Sequence, residues 1–193
     1  MGIKAVAIVG TKKSGKTTTT ESLIRALTKK GYLVATIKHV PEPNFSIDTP
    51  GKDTWRHAQA GAKTIVSVAA NEIATIEKIP LETVTIDSLI RRCKGNDIVF
   101  IEGLKKGIAR RRSIPKIVVA KTKDEAINAA KVYEPILAFS GSYNPENLKL
   151  KIPYIDTMIS PQRLADVVES KLLRRQKAKK HENHREELEP GLR

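Results

Sequence analysis

Only one cysteine, Cys93, occurs in 193 residues, so no intrachain disulfide can form. The expectation is a reducing, cytoplasmic compartment. Aromatic residues make up 4% of the chain, so the core must be built from Ile, Val, Leu and Ala. The same scarcity removes the stacking platforms that single-stranded nucleic acid needs, and no nucleic-acid recognition module is visible. Nucleic acid is therefore not the expected partner, although the net charge of +14 permits it. Nowhere do about 18 apolar residues run together, so no membrane-spanning helix is expected. The N-terminal run "AVAIVG" is too short for a signal-peptide core, and "MGIKAV" lacks the hydroxyl residue that a myristoylation signal carries at position 6. "HENH" (181–184) lacks the spacing of a zinc-protease helix.

What the sequence does have is positive charge and alternation. From Lys171 onward there are eight Lys/Arg against four Asp/Glu, so most of the positive excess lies in the body of the chain and points to an anionic ligand. "KAVAIVG" (4–10) and "DIVFIEG" (97–103) are continuous apolar runs, as strands covered on both faces require. Further strands are expected at 33–39, 63–70, 73–79, 116–121 and 135–141. Helices are expected from Lys16 to a C-cap at Gly31, at 54–62, at 81–95, at 122–134, and after Ser160-Pro161. Residues 40–53 hold three prolines and a glycine and read as a loop. Strands alternating with helices argue for an α/β fold with a mostly parallel central sheet. Residues 1–175 read as one nucleotide-binding domain, and 176–193 as a basic, polar tail expected to be flexible.

The chemistry starts at "IVGTKKSGKT". Gly10-Thr-Lys-Lys-Ser-Gly15-Lys16-Thr17 fits G-x-x-x-x-G-K-[ST] in full, between an expected strand and an expected helix. Glycines let the chain curl until successive N–H groups point inward at phosphate oxygens, aided by the positive end of the helix. Lys16 then reaches the β- and γ-phosphates, and the Thr17 hydroxyl is placed to ligate Mg²⁺. Thr18, Thr19 and Thr20 are poor helix formers, and either one of them touches the α-phosphate or they only pack and cap.

A magnesium phosphate site also wants a carboxylate at a neighbouring strand end, and Glu102 closes "IVFIE" there. It is a candidate to hold magnesium through water or to orient an attacking water. Asp97, at the opposite end of that strand, reads as structural. Asp48 and Asp53 flank Thr-Pro-Gly-Lys in the loop after the second strand. They suit either a loop that closes on magnesium and the γ-phosphate or solvated turn positions. The cations of "GLKKGIARRRS" suit either a phosphorylated or acidic partner or a solvated loop.

"IKH" (37–39), "IDTPGKDTWRHAQAGA" (47–62) and "DIVFIEGLK" (97–105), all after this phosphate loop, resemble the molybdopterin-guanine dinucleotide biosynthesis protein B (MobB) family over about residues 4–175. The resemblance implies a three-layer P-loop NTPase fold, a homodimer, GTP and Mg²⁺ as ligands, weak GTP hydrolysis at most, and assistance to a nucleotidyltransferase that attaches GMP to molybdopterin. It implies Gly10, Lys13, Ser14, Gly15, Lys16, Thr17 and Thr18 as the phosphate loop. It implies Asp48, Asp53 and Glu102, with Thr17, as the groups near magnesium, Asp53 and Glu102 serving any hydrolysis, and it carries over His39. No Asn-Lys-x-Asp is present, since "AKTKDE" (120–125) stands after the corresponding strand, so guanine preference rests on the resemblance. Backbone groups of "AFSGS" (138–142) are candidates to meet the base. A metabolic P-loop kinase acting on a small acceptor is the rival reading.

Overall fold

The computed structural model describes residues 3–144 and 151–173; the tail read at 176–193 lies outside them. Five strands, β1 (Lys4–Gly10), β2 (Val34–Lys38), β5 (Ile98–Glu102), β6 (Lys116–Val119) and β7 (Ile136–Ser140), form one sheet in the order β2-β5-β1-β6-β7. Every pairing in it is parallel. β1, β5 and β6 are inner strands, which is why their sequences are continuous apolar runs rather than alternating ones.

Helix α1 (Lys16–Lys29) follows β1 and buries Leu23, Ala26 and Leu27 against Val6, Ile8, Ile98 and Phe100. Its threonines disfavour helix by a few tenths of a kcal/mol each. Burial of Leu23 and Leu27, about 2 kcal/mol apiece, outweighs that. The helix stops where Gly31 takes φ +85°, with Tyr32 N–H donating to the Leu27 carbonyl and Gly31 N–H to that of Thr28. Helix α6 (Pro161–Val168) adds Leu164, Ala165 and Val168 to the same core, and a π-turn over Glu169–Leu173 continues it. Helix α5 (Lys123–Val132), capped by Thr122, buries Ala126 and Ala129 outside that cluster and packs on β6.

Within the stretch read as one domain, residues 40–88 form a compact unit of their own. This unit holds α2 (Asp53–Gln59) and two short strands, β3 (Thr64–Val68) and β4 (Ile73–Glu77), which among the described residues pair antiparallel with each other only. The strands were expected; their withdrawal from the parallel sheet was not. The helix expected over 81–95 is also divided. A 3-10 turn spans Leu81–Thr83, Val84 is extended, and α3 covers Ile86–Arg92. Thr85 explains the break: it and Ser88 cap each other's main-chain N–H groups, so the helix begins afresh there. The basic stretch after β5 contains a short helix, α4 (Lys105–Ile108), held by buried Ile108.

Lys116 is an unanticipated core residue. It is fully buried, and its Nζ donates to the carbonyls of Arg111 (2.9 Å) and Glu134 (2.6 Å). Burial pushes its pKa down to about 8, against an ordinary value of 10.5, with Glu134 opposing. Between those values the unfolded chain holds the proton and the folded chain does not, so stability rises with pH across that window. Comparing urea unfolding of the protein with that of Lys116→Met cancels the other lysines. The wild-type minus variant difference is expected to grow, by at most about 3 kcal/mol, from pH 7.5 to 10. A flat difference shows that Lys116 stays charged when folded.

Candidate phosphate-binding site

The first unit gathers its chemistry at the carboxyl end of the parallel sheet, where open α/β folds bind ligands. β1 runs into Gly10, whose position admits no side chain: a Cβ there would stand 2.3 Å from the Val119 carbonyl oxygen. Lys13 (φ +59°) and Gly15 (φ +96°) then turn the chain through left-handed conformations. The result is a curled loop that delivers the chain to the start of α1. No side chain caps that helix end and no acidic residue stands in its first turn. Its leading N–H groups and the positive pole of its dipole are therefore left for an anion.

Lys16, the first helical residue, folds back so that its Nζ donates to the Thr11 carbonyl. Burial pushes its pKa down, and the Lys105 ammonium adds to the effect. An ammonium held this way gains from an incoming anion. Ser14 Oγ is buried and has no hydrogen-bond partner. Thr11 is fixed from the other side, its hydroxyl donating to Glu125 Oε1 (2.8 Å), while Glu125 Oε2 accepts from Lys121 N–H (2.7 Å). The Lys121 amide is the main reason the Glu125 carboxyl is held below its ordinary pKa.

Glu102 is 5% exposed, at the end of the innermost neighbour of β1. β5 lies between β2 and β1, so Glu102 has Lys38 and Ile8 as its register partners. Its Oε1 accepts from the Thr20 hydroxyl (2.9 Å), and its Oε2 accepts from Lys38 Nζ and, at 3.5 Å, from the Thr17 hydroxyl. His39 N–H donates to the Glu102 carbonyl at 2.9 Å. A Cβ on Gly103 would meet the His39 Cβ at 2.6 Å, so this strand end also requires glycine.

The first unit thus brings together Gly10, Lys13, Ser14, Gly15, Lys16, Thr17, Thr18 and Glu102. Asp48 and Asp53 belong to the 40–88 unit. There, Asp48 Oδ1 accepts from Thr49 N–H (2.9 Å) and the Thr54 hydroxyl (2.8 Å), while Oδ2 is shielded and has no partner. Asp53 is 87% exposed in the first turn of α2, 3.7 Å from Arg56. Of the threonines, Thr19 and Thr20 are buried and hydrogen-bonded. Thr18 is exposed and lines a cavity of about 320 Å³ beside the loop. Lys38 and Glu125 were not anticipated, and Lys105 was read only as one of the cations of the basic stretch after β5. Lys38 had a signal, a lysine at the same strand end as the candidate carboxylate, but its significance depends on β2 pairing with β5.

These residues fit a magnesium-bound polyphosphate on observations internal to the fold: a loop packed so tightly on β6 that Gly10 admits no Cβ, an uncapped helix end, and an unpartnered buried hydroxyl. Among the described residues no three His, Cys, Asp or Glu side chains converge as a metal cage. Among the described residues no helix is long and apolar enough to cross a membrane.

The family model described as molybdopterin guanine dinucleotide synthesis protein B matches residues 5–140. A molybdopterin-guanine dinucleotide biosynthesis adapter protein from Haemophilus influenzae is 30% identical over 170 residues, covering 87% of this chain and 89% of that protein. A putative adapter protein from Methanocaldococcus jannaschii is 34% identical over 123 residues, or 63% of this chain. That match spans about half of the relative's length, 49%. The fold is similar to the crystal structure of a molybdopterin-guanine biosynthesis protein B (TM-score 0.67, 24% identity), covering 87% of this chain and 98% of that one. It is also similar to that of Bacillus subtilis MobB (TM-score 0.66, 24% identity), covering 88% and 98% respectively.

Proposed function

The chain belongs to the molybdopterin guanine dinucleotide synthesis protein B family, and on that premise we propose that it is a GTP-binding accessory protein of molybdenum-cofactor biosynthesis that assists a nucleotidyltransferase. The observation that carries the nucleotide half of this reading is the curled loop of residues 10–17, with Lys16 folded over it and Thr17 beside Glu102. The accessory half rests on the adapter role named for its relatives.

In this reading the main-chain amides at the head of α1 and the Lys16 ammonium bind and orient the phosphates. Thr17 and Glu102 would hold magnesium, which would supply charge neutralisation at the phosphates. Asp48 and Asp53 are proposed to take part in magnesium binding on the strength of the resemblance, and the shielded, unpartnered Oδ2 of Asp48 supports its share. Asp53 and Glu102 serve whatever slow hydrolysis occurs, since a helper that holds or passes on nucleotide needs little turnover. Exposed Val66, Val68 and Ile73 on the β3–β4 hairpin support association into a homodimer. The lone cysteine agrees with a cytoplasmic setting.

Calorimetric titration with GTP and ATP, each with and without Mg²⁺, tests the proposal. The expected result is magnesium-dependent binding with GTP the tighter ligand. Asp53→Asn is expected to weaken the magnesium-dependent part several-fold; an unchanged affinity makes Asp53 a turn residue only. Rapid nucleoside diphosphate release on adding a small acceptor would instead mark a kinase.

A further inference from the structure

The sequence lacks the Asn-Lys-x-Asp element by which a guanine is ordinarily read, and Ala120-Lys121-Thr122-Lys123 stands in its place. We propose that Asp156, from a distant part of the chain, reads guanine instead, in the cavity beside the phosphate loop. The proposal deepens the nucleotide-binding reading and rests on it.

Topology sets the direction of the ligand. Glu102 and Thr17 lie on the β5 side of β1, while β6 and β7 lie on its other side. A triphosphate whose magnesium end meets Glu102 therefore sends its nucleoside toward the ends of β6 and β7. That is where the cavity of about 320 Å³ lies, lined by Lys13 and Thr18 of the loop region, Lys121, Ser142, Asp156 and Met158. Its size is at the small end for ligand sites and suits one nucleoside.

The wall carrying Asp156 is built rather than incidental. Ile155 N–H donates to the Phe139 carbonyl (2.9 Å), and the Tyr154 hydroxyl to that of Gly141 (2.6 Å), which fastens residues 154–155 along β7. Next door, Thr157 is buried between the hydroxyls of Thr19 (3.4 Å) and Ser140 (3.3 Å). These contacts fix the chain on both sides of Asp156 relative to α1 and β7. The carboxylate itself spends one acceptor site, Oδ1, on Met158 N–H at 2.8 Å. A carboxylate has about four such sites, so Oδ2 and the rest of Oδ1 remain.

Guanine presents two donors side by side, N1–H and the 2-amino group, and an acceptor-only carboxylate matches both. Adenine presents a lone pair at N1, which the carboxylate repels. The stem of Lys121 offers an apolar face for the ring.

Asp156→Asn separates this role from a merely structural one, because the asparagine carbonyl still accepts from Met158 N–H. Its melting temperature is expected to match that of the wild type. Its affinity for GTP should fall about 10- to 100-fold, and that for xanthosine triphosphate should rise by a similar factor, since xanthine offers N1–H and an O2 acceptor to the amide. In the unmodified protein, inosine triphosphate, which lacks the 2-amino group, should bind about tenfold more weakly than GTP. An unchanged GTP-to-xanthosine ratio in a folded variant overturns the proposal, as does equal binding of inosine triphosphate and GTP. Parallel loss for GTP, ATP and inosine triphosphate overturns it in favour of a sugar contact. If the unmodified protein binds no nucleoside triphosphate, the nucleotide reading itself has failed and this one falls with it.

Discussion

Lys16→Ala is expected to lower affinity for magnesium-bound GTP by about 100- to 1,000-fold, the loss of charge-assisted contacts worth about 3–4 kcal/mol, while the apo protein melts no lower than the wild type. The two halves of that expectation have one cause. In the resting fold the Lys16 ammonium is partly buried, close to Lys105, and bonded to the Thr11 carbonyl. Its pKa is lowered, so the folded state disfavours its charge; that penalty is present at neutral pH and is relieved as pH rises. Deleting the side chain removes the penalty from the apo protein and removes the anion's partner from the complex. Calorimetry paired with a melting curve reads both. Affinity retained in Lys16→Ala would place the triphosphate somewhere other than the curled loop.

How much of this was legible depends on how local each feature is. The candidate phosphate loop is one stretch of eight consecutive residues that fits a single pattern, and the flanking strand and helix follow from their own apolar patterns. Glu102 was legible because a carboxylate ending an inner strand has only one place to be in a parallel α/β sheet. Lys38 was not, because it meets Glu102 across 64 residues, through a register that strand pairing alone sets. The same holds for Asp156, whose position depends on residues 154–155 lying along β7. β3 and β4 were visible as strands, but a short apolar run does not say which sheet it joins. The helix over 81–95 was overread because Thr83-Val84-Thr85 carries no glycine or proline; the break comes from the reciprocal bonds of Thr85 and Ser88.

Glu102→Gln is expected to remove most of the magnesium dependence of nucleotide binding, about 10- to 100-fold in affinity, with metal-free binding little changed. Glutamine keeps the carbonyl that accepts from Thr20, so the fold survives. It replaces the oxygen facing Thr17 and Lys38 with an amide donor, which the Lys38 ammonium cannot accept and which cannot serve as a ligand for a cation. Glu102→Ala is expected to cost only about 1–2 kcal/mol of stability despite the burial of Glu102. Lys38, 54% exposed, is free to turn into water, and Thr20 keeps its second acceptor in the Lys16 carbonyl. Lys38 is the counter-ion of Glu102 in this structure, and on the proposed magnesium reading a metal would displace it. Lys38→Met should therefore lower the magnesium concentration needed for half-maximal binding, because the carboxylate then has no competing cation. Should Lys38→Met instead raise that concentration, the lysine belongs to the ligand's own binding set, and the divalent ion is held elsewhere along the loop.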